Sequence, residues 1–103
     1  MAYYRNHNLR KRLKLSIVEM EVLIQIYESS NNNIGWCMKS PQEICDWLDI
    51  KMGQLNRILQ SLCLDGHIDY GHEISTNIKR YCPSDRTRDL FQDEFNFIKE
   101  YEQ

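Results

Sequence analysis

The 103-residue chain lacks most patterns that mark a membrane protein, a secreted protein or an enzyme. No apolar run approaches the roughly 20 residues a membrane helix needs, so no membrane partner is expected. No apolar stretch follows Met1-Ala2-Tyr3-Tyr4. A secretory leader is therefore not expected, and a cytoplasmic location is. The chain has no glycine-rich phosphate loop, no HExxH and no GxSxG. Those gaps remove the commonest signatures of nucleotide hydrolysis, zinc proteolysis and serine hydrolysis. An enzyme is not expected, and no cofactor is called for. Proline occurs twice and glycine four times, so no Pro- or Gly-rich linker divides the chain.

Cysteine is present but badly spaced for a site. Cys37, Cys45, Cys63 and Cys82 form no CxxC pair, and a reducing context argues against disulfides. Cys45 and Cys63 sit within apolar runs and read as small core residues. A metal set of Cys63, His67, His72 and Cys82 is the alternative. Its first two members are four apart, but Gly66 lies between them and the remaining spacings fit no zinc module. No metal site is assigned.

What is present is a soluble core. Hydrophobic residues make up 42% of the chain and charged residues 27%, as expected for one packed domain. The net charge of −2 does not suggest a nucleic-acid binder, but the charges are segregated. Residues 1–14 carry five bases and no acid, whereas residues 15–50 carry one base and six acids. Residues 51–82 are mildly basic, and residues 83–103 are acidic again.

Local signals place the elements. Residues 1–14 have no clean period and read as a basic N-terminal arm or a short frayed helix. Ser16-Ile17-Val18-Glu19 is a capping box that should open a helix to about Glu28. Val18, Met20, Val22, Ile24 and Ile26 alternate like a strand. The polar set Glu21, Gln25, Glu28 and Ser29 nevertheless forms one helical stripe, and the cap favours a helix buried on most sides. An Asn-rich loop follows, then a short strand over Ile34-Gly35-Trp36-Cys37-Met38. Ser40-Pro41-Gln42-Glu43 is a second capping box with Pro at the first helical position. After a tight connection at Asp49-Ile50-Lys51, Leu55, Ile58, Leu59 and Leu62 form an amphipathic stripe. Asp65-Gly66 should end that helix. His67-Ile68-Asp69-Tyr70 and Ile78-Lys79-Arg80-Tyr81-Cys82 read as a hairpin with a loose tip over 71–77. Ser84 or Asp85 can cap a last helix to about Tyr101.

Two short helices joined by about three residues are a helix-turn-helix candidate, and a hairpin directly after them is a wing. Residues 41–68 resemble the helix-turn-helix of winged-helix bacterial regulators of the MarR, PadR and ArsR type. Leu48-Asp49-Ile50 and Leu62-Cys63-Leu64-Asp65-Gly66-His67-Ile68 carry the resemblance. Lys79-Arg80-Tyr81-Cys82-Pro83-Ser84 is similar to the exit from the family's wing. The fold class expected is mainly α with a small β-hairpin (α+β). It comprises a winged helix-turn-helix domain over residues 15–84 and a C-terminal helix over 85–103.

The function expected from this resemblance is that of a DNA-binding transcriptional regulator. The recognition helix, residues 52–65, would enter the major groove of double-stranded DNA, and the wing, residues 67–83, would rest on the backbone. Gln54, Asn56, Arg57 and Gln60 offer the chemistry that reads adenine and guanine edges. Lys51, Lys79, Arg80 and the arm cations Arg5, Arg10, Lys11 and Arg12 would neutralise phosphates. A homodimer is expected through the last helix. There Phe91, Phe95 and Ile98 form one apolar stripe, and Leu90, Phe97 and Tyr101 form another. The wing tip carries Glu73 and no base, and the overall balance is acidic. Both features favour an alternative: a winged helix that docks a protein partner, as an anti-repressor, replication accessory or host-takeover protein would.

Overall fold

Seven elements follow one another in the computed structural model, which describes the backbone of residues 7–102 and the side chains of residues 9–93. They are α1 (His7–Leu13), α2 (Ile17–Ser29), α3 (Pro41–Leu48), α4 (Met52–Leu64), β1 (Ile68–His72), β2 (Lys79–Pro83) and α5 (Asp85–Glu102). Together they make an α+β domain with five helices and one antiparallel hairpin.

The helix α2 is the centre of the core. Its capping box forms as expected: Glu19 N–H donates to Ser16 Oγ at 3.2 Å, and Ser16 N–H donates to Glu19 Oε1 at 2.9 Å. Met20, Val22, Leu23, Ile24 and Ile26 are all buried, so the helix is covered on nearly every side. That coverage is why its apolar residues alternate like a strand.

The Asn-rich loop is tied by Asn32. Its Oδ1 accepts from the backbone N–H groups of Ile34 and Gly35, and its Nδ2 donates to Trp36 O at 2.8 Å. Gly35 takes φ +81°, a conformation open to glycine. The strand expected over residues 34–38 is reduced to a bridge, where Cys37 N–H donates to Tyr81 O at 2.7 Å. The Asn32 clamp holds the preceding residues in a turn, so only Cys37 reaches the sheet register.

At α3 the second capping box is half formed. Glu43 N–H donates to Ser40 Oγ at 3.2 Å, with Pro41 in the first turn. The connection to α4 turns on Asp49 in the left-handed region, at φ 54°. Leu55, Ile58, Leu59 and Leu62 of α4 face the core, as their spacing predicts. Gly66, at φ +76°, ends the helix, and His67 N–H returns to Leu62 O at 2.9 Å.

The hairpin pairs Ile68 with Pro83 and His72 with Lys79. At the tip β1 runs two residues beyond its expected end and β2 starts one residue later than expected, and the tip is not loose. Glu73 N–H donates to Ile78 O at 2.9 Å, and Asn77 N–H to Glu73 O at 2.8 Å. Thr76 Oγ1 and Arg80 Nε both donate to the Glu73 carboxylate. One acid therefore closes a loop that the sequence spacing left open.

Of the segment read as an arm or a short helix, His7–Leu13 forms α1. Leu9 of α1 is fully buried in the core, and Leu15 beyond it is buried too. At the other end, α5 begins with Ser84 and Thr87, both buried. Thr87 Oγ1 donates to His67 O at 2.7 Å, and Ser84 N–H donates to the same carbonyl at 3.0 Å. Phe91 closes the core against Tyr27.

Candidate nucleic-acid interface

The side of α4 opposite its buried stripe is the main polar surface in question. Lys51, Asn56, Arg57 and Gln60 are exposed there, and Gln54 is half-buried. Helical spacing sets Gly53, Arg57, Gln60 and Leu64 along one line. Among the described residues, none of these polar side chains makes a hydrogen bond or ion pair within the chain. A Cβ built at Gly53 meets nothing within 4 Å, so the line opens on free space at its N-terminal end. Leu64, at its other end, is 80% exposed.

The hairpin contributes less free charge than its sequence suggests. Lys79 is exposed, but its Nζ lies 4.2 Å from the centre of the Tyr70 ring and 5.5 Å from that of Tyr81. A cation over aromatic faces is held electrostatically without losing its charge. Arg80 is engaged within the chain. Its Nε lies 2.7 Å from Glu73 Oε1, and its Nη1 donates to Met38 O at 3.2 Å. The guanidinium binds the hairpin to the loop before α3 through these two nitrogens. That pairing also holds the Glu73 carboxyl below the usual range, with Thr76 adding to the effect.

Arg10 is engaged as well. It lies half-buried on α1, and its Nη1 donates to Leu15 O at 3.0 Å while its Nε is buried without a partner. It fastens the α1–α2 turn. Lys11 and Arg12 are exposed on the same helix. Arg12 joins Lys14, Asp65, His67, Arg86, Leu9, Leu13 and Leu90 around a groove of about 430 Å³. Lys14 and Arg86 were not picked out from the sequence. Arg86 lies in an acidic segment, whose overall sign hides it. Arg5 lies outside the described residues.

Of the residues expected to pair two copies, Phe91 is fully buried against Tyr27 of its own chain, with ring centres 4.8 Å apart. It has no surface left for a second copy. Leu90 is partly buried against the same core. The side chains of Phe95, Phe97, Ile98 and Tyr101 lie outside the described residues.

A second surface is apolar. Ile34, Trp36 and Met38 face Gly71, His72, Glu73 and Arg80 across an open groove of about 370 Å³. A Cβ at Gly71 would stand 3.1 Å from the Trp36 ring, so the indole lies directly on the strand backbone.

The four cysteines are free thiols. Burial pushes the thiols of Cys37, Cys63 and Cys82 up, away from the reactive thiolate. His67 faces Arg86, and His72 faces Tyr70, so the set Cys63, His67, His72 and Cys82 is not brought to one point. Among the described residues no three His, Cys, Asp or Glu side chains are grouped to hold a metal ion. No helix among them is long and apolar enough to cross a membrane. No family model matches the chain, and no curated protein or solved structure is similar to it.

Proposed function

We propose that this protein is a winged-helix DNA-binding regulator acting in the cytoplasm, with α4 as its recognition helix. The reading rests on one observation above all. The outer face of α4 presents Asn56, Arg57 and Gln60 exposed and, among the described residues, without a partner in the chain. Free amides and a free guanidinium on one helix face are the groups that pair with base edges in a major groove. The order α2, Cys37 bridge, α3, α4, β1, β2 is compatible with a winged helix. In this reading Lys51 and Lys79 flank the helix as phosphate contacts, and two copies bind the two halves of a palindromic site.

The test is fluorescence anisotropy on mixed-sequence duplex DNA at two salt concentrations. Binding that weakens as salt rises is the expected result, because phosphate contacts release counterions. Arg57→Ala should then cost about 1–3 kcal/mol on a selected site and relax one base preference. No binding at low salt would overturn the reading. Sedimentation of wild type and Phe97→Glu tests the dimer, which requires the variant to be monomeric.

The apolar groove between Trp36 and the hairpin supports a second reading, a winged helix that docks a protein partner. It is lined by Ile34, Trp36 and Met38 on one side. Failure to bind DNA, together with specific capture of a host protein lost in Met38→Asp, would favour it.

A further inference from the structure

The two ends of α4 carry cations, although only one end lies where the sequence pattern points. Lys51 is the N-cap residue. At the other end, Asp65 is the C-cap, and Arg86 Nη2 donates to its carbonyl at 2.9 Å. The same nitrogen lies 3.2 Å from His67 Nδ1. Arg86 thus sits on the negative end of the α4 dipole, which fixes its place. Both contacts use one terminal nitrogen of the five-donor guanidinium, so other N–H groups remain for a ligand. Arg12 and Lys14 face it across the groove, whose apolar lining is Leu9, Leu13 and Leu90. Among the described residues, Asp65 is the carboxylate lining this groove, alongside Arg12, Lys14 and Arg86. His67 adds no charge at neutral pH, since burial and Arg86 hold it below the usual histidine range.

The spacing gives these cations a use. A helix of 13 residues spans about 20 Å at about 1.5 Å per residue. The major groove is about 12 Å wide. A helix of that length set across the groove reaches both phosphate walls with its ends. We infer that the groove formed by Arg12, Lys14 and Arg86 receives a backbone phosphate at the C-terminal end of α4, while Lys51 meets the opposite strand. This rests on the DNA-binding reading and adds a contact site to it. The α1 segment then acts as a packed clamp and not as a free arm entering a minor groove.

The experiment is the salt dependence of duplex-DNA affinity, measured by anisotropy on the full chain. Wild type is compared with Lys14→Gln, Arg86→Gln, Arg86→Lys and Lys39→Gln. Lys14→Gln and Arg86→Gln should each lower the slope of log K against log salt by about 0.9, the value for one lost phosphate contact. Arg86→Lys should keep the slope, and Lys39→Gln, which does not line the groove, should leave it at the wild-type value. Sequence preference should not change in any of them. Circular dichroism checks folding. If Arg86→Gln unfolds, Lys14→Gln decides alone, because the Lys14 side chain is exposed and makes no bond within the described chain. Wild-type slopes in both groove variants would overturn this inference and leave the DNA reading standing. No duplex binding by wild type would overturn both. Inorganic phosphate at constant ionic strength supplies the other arm. If it shifts the His67 ring signals while the groove variants keep the wild-type slope, the groove holds a small anion and not the duplex.

Discussion

Replacing Phe91 with alanine should detach α5 from the domain, and the structure gives the scale of the loss. The ring is fully buried and meets Tyr27 edge-on, with planes at 75°. Truncating a buried Phe costs about 3–5 kcal/mol, because apolar contact is lost and the cavity refills only in part. The edge-to-face pair supplies about 0.5–1.5 kcal/mol of that. A domain of this size holds about 5–15 kcal/mol in all. At about 4–8 °C per kcal/mol, a loss of about 3 kcal/mol lowers Tm by about 12–24 °C. Thermal and urea unfolding would be followed by far-UV circular dichroism and by Trp36 and Trp47 fluorescence. Two protein concentrations separate core from interface. A core role requires the Phe91→Ala loss to be the same at both, whereas a contact between copies would make it grow with concentration. Phe91→Leu, which keeps most of the volume, should lose clearly less. A loss below about 1 kcal/mol for Phe91→Ala would refute the docking of α5 on the core, being the size of an ordinary surface change.

Three further outcomes follow from the same geometry. Gly53→Ala places a methyl in open space on a helix, so stability should rise by up to about 1 kcal/mol. Duplex affinity should fall if DNA approaches that backbone, and an unchanged affinity would place the duplex elsewhere. His67 is held below the usual histidine range by burial first and Arg86 second, with Asp65 and Glu19 opposing. The unfolded chain therefore takes up its proton first as pH falls below about 6.5, and the folded state loses stability there. His67→Gln should flatten the fall in Tm between pH 7 and 5.5, and a wild-type slope would count against the assignment. Glu73 is held below the usual glutamate range by Arg80, so its ties persist above the ordinary glutamate pKa and are lost as pH falls through the lowered one. Glu73→Gln frees Arg80 at neutral pH. In the DNA reading, low-salt affinity should rise, and no change would place Arg80 away from the duplex.

Much of the fold was legible because its signals are local. The Ser16 box, the Ser40–Pro41 start and the Leu55–Leu62 stripe each lie within one helix. Their consequences appear where the spacing puts them. What escaped depends on distant partners. Residues 1–14 have no period and left an arm and a short helix both open, and one buried leucine, Leu9, is what packs His7–Leu13 as a helix. The outer face of α4 follows from its inner one, so Asn56, Arg57 and Gln60 were readable. Arg80 and Arg10 were not, because Met38 O and Leu15 O become their acceptors only once the chain has turned. The juxtaposition of Lys14 and Arg86 is likewise a product of folding, joining residues 72 positions apart in the sequence.

The turn before α3 bears on how the chain assembles. Three ties bind it to the last third of the molecule: Cys37 N–H to Tyr81 O, Arg80 Nη1 to Met38 O, and Arg88 Nη2 to Gly35 O. The two arginine ties span 42 and 53 residues. Closing a loop of that length costs about 1.6 kcal/mol more chain entropy than closing the short hairpin. A largely helical chain thereby carries contacts of the long sequence separation usual for β-proteins. All three ties share that single closure, so once one forms the others meet at high local concentration. Deleting any one tie should understate their joint contribution, and only the double variants will reveal it.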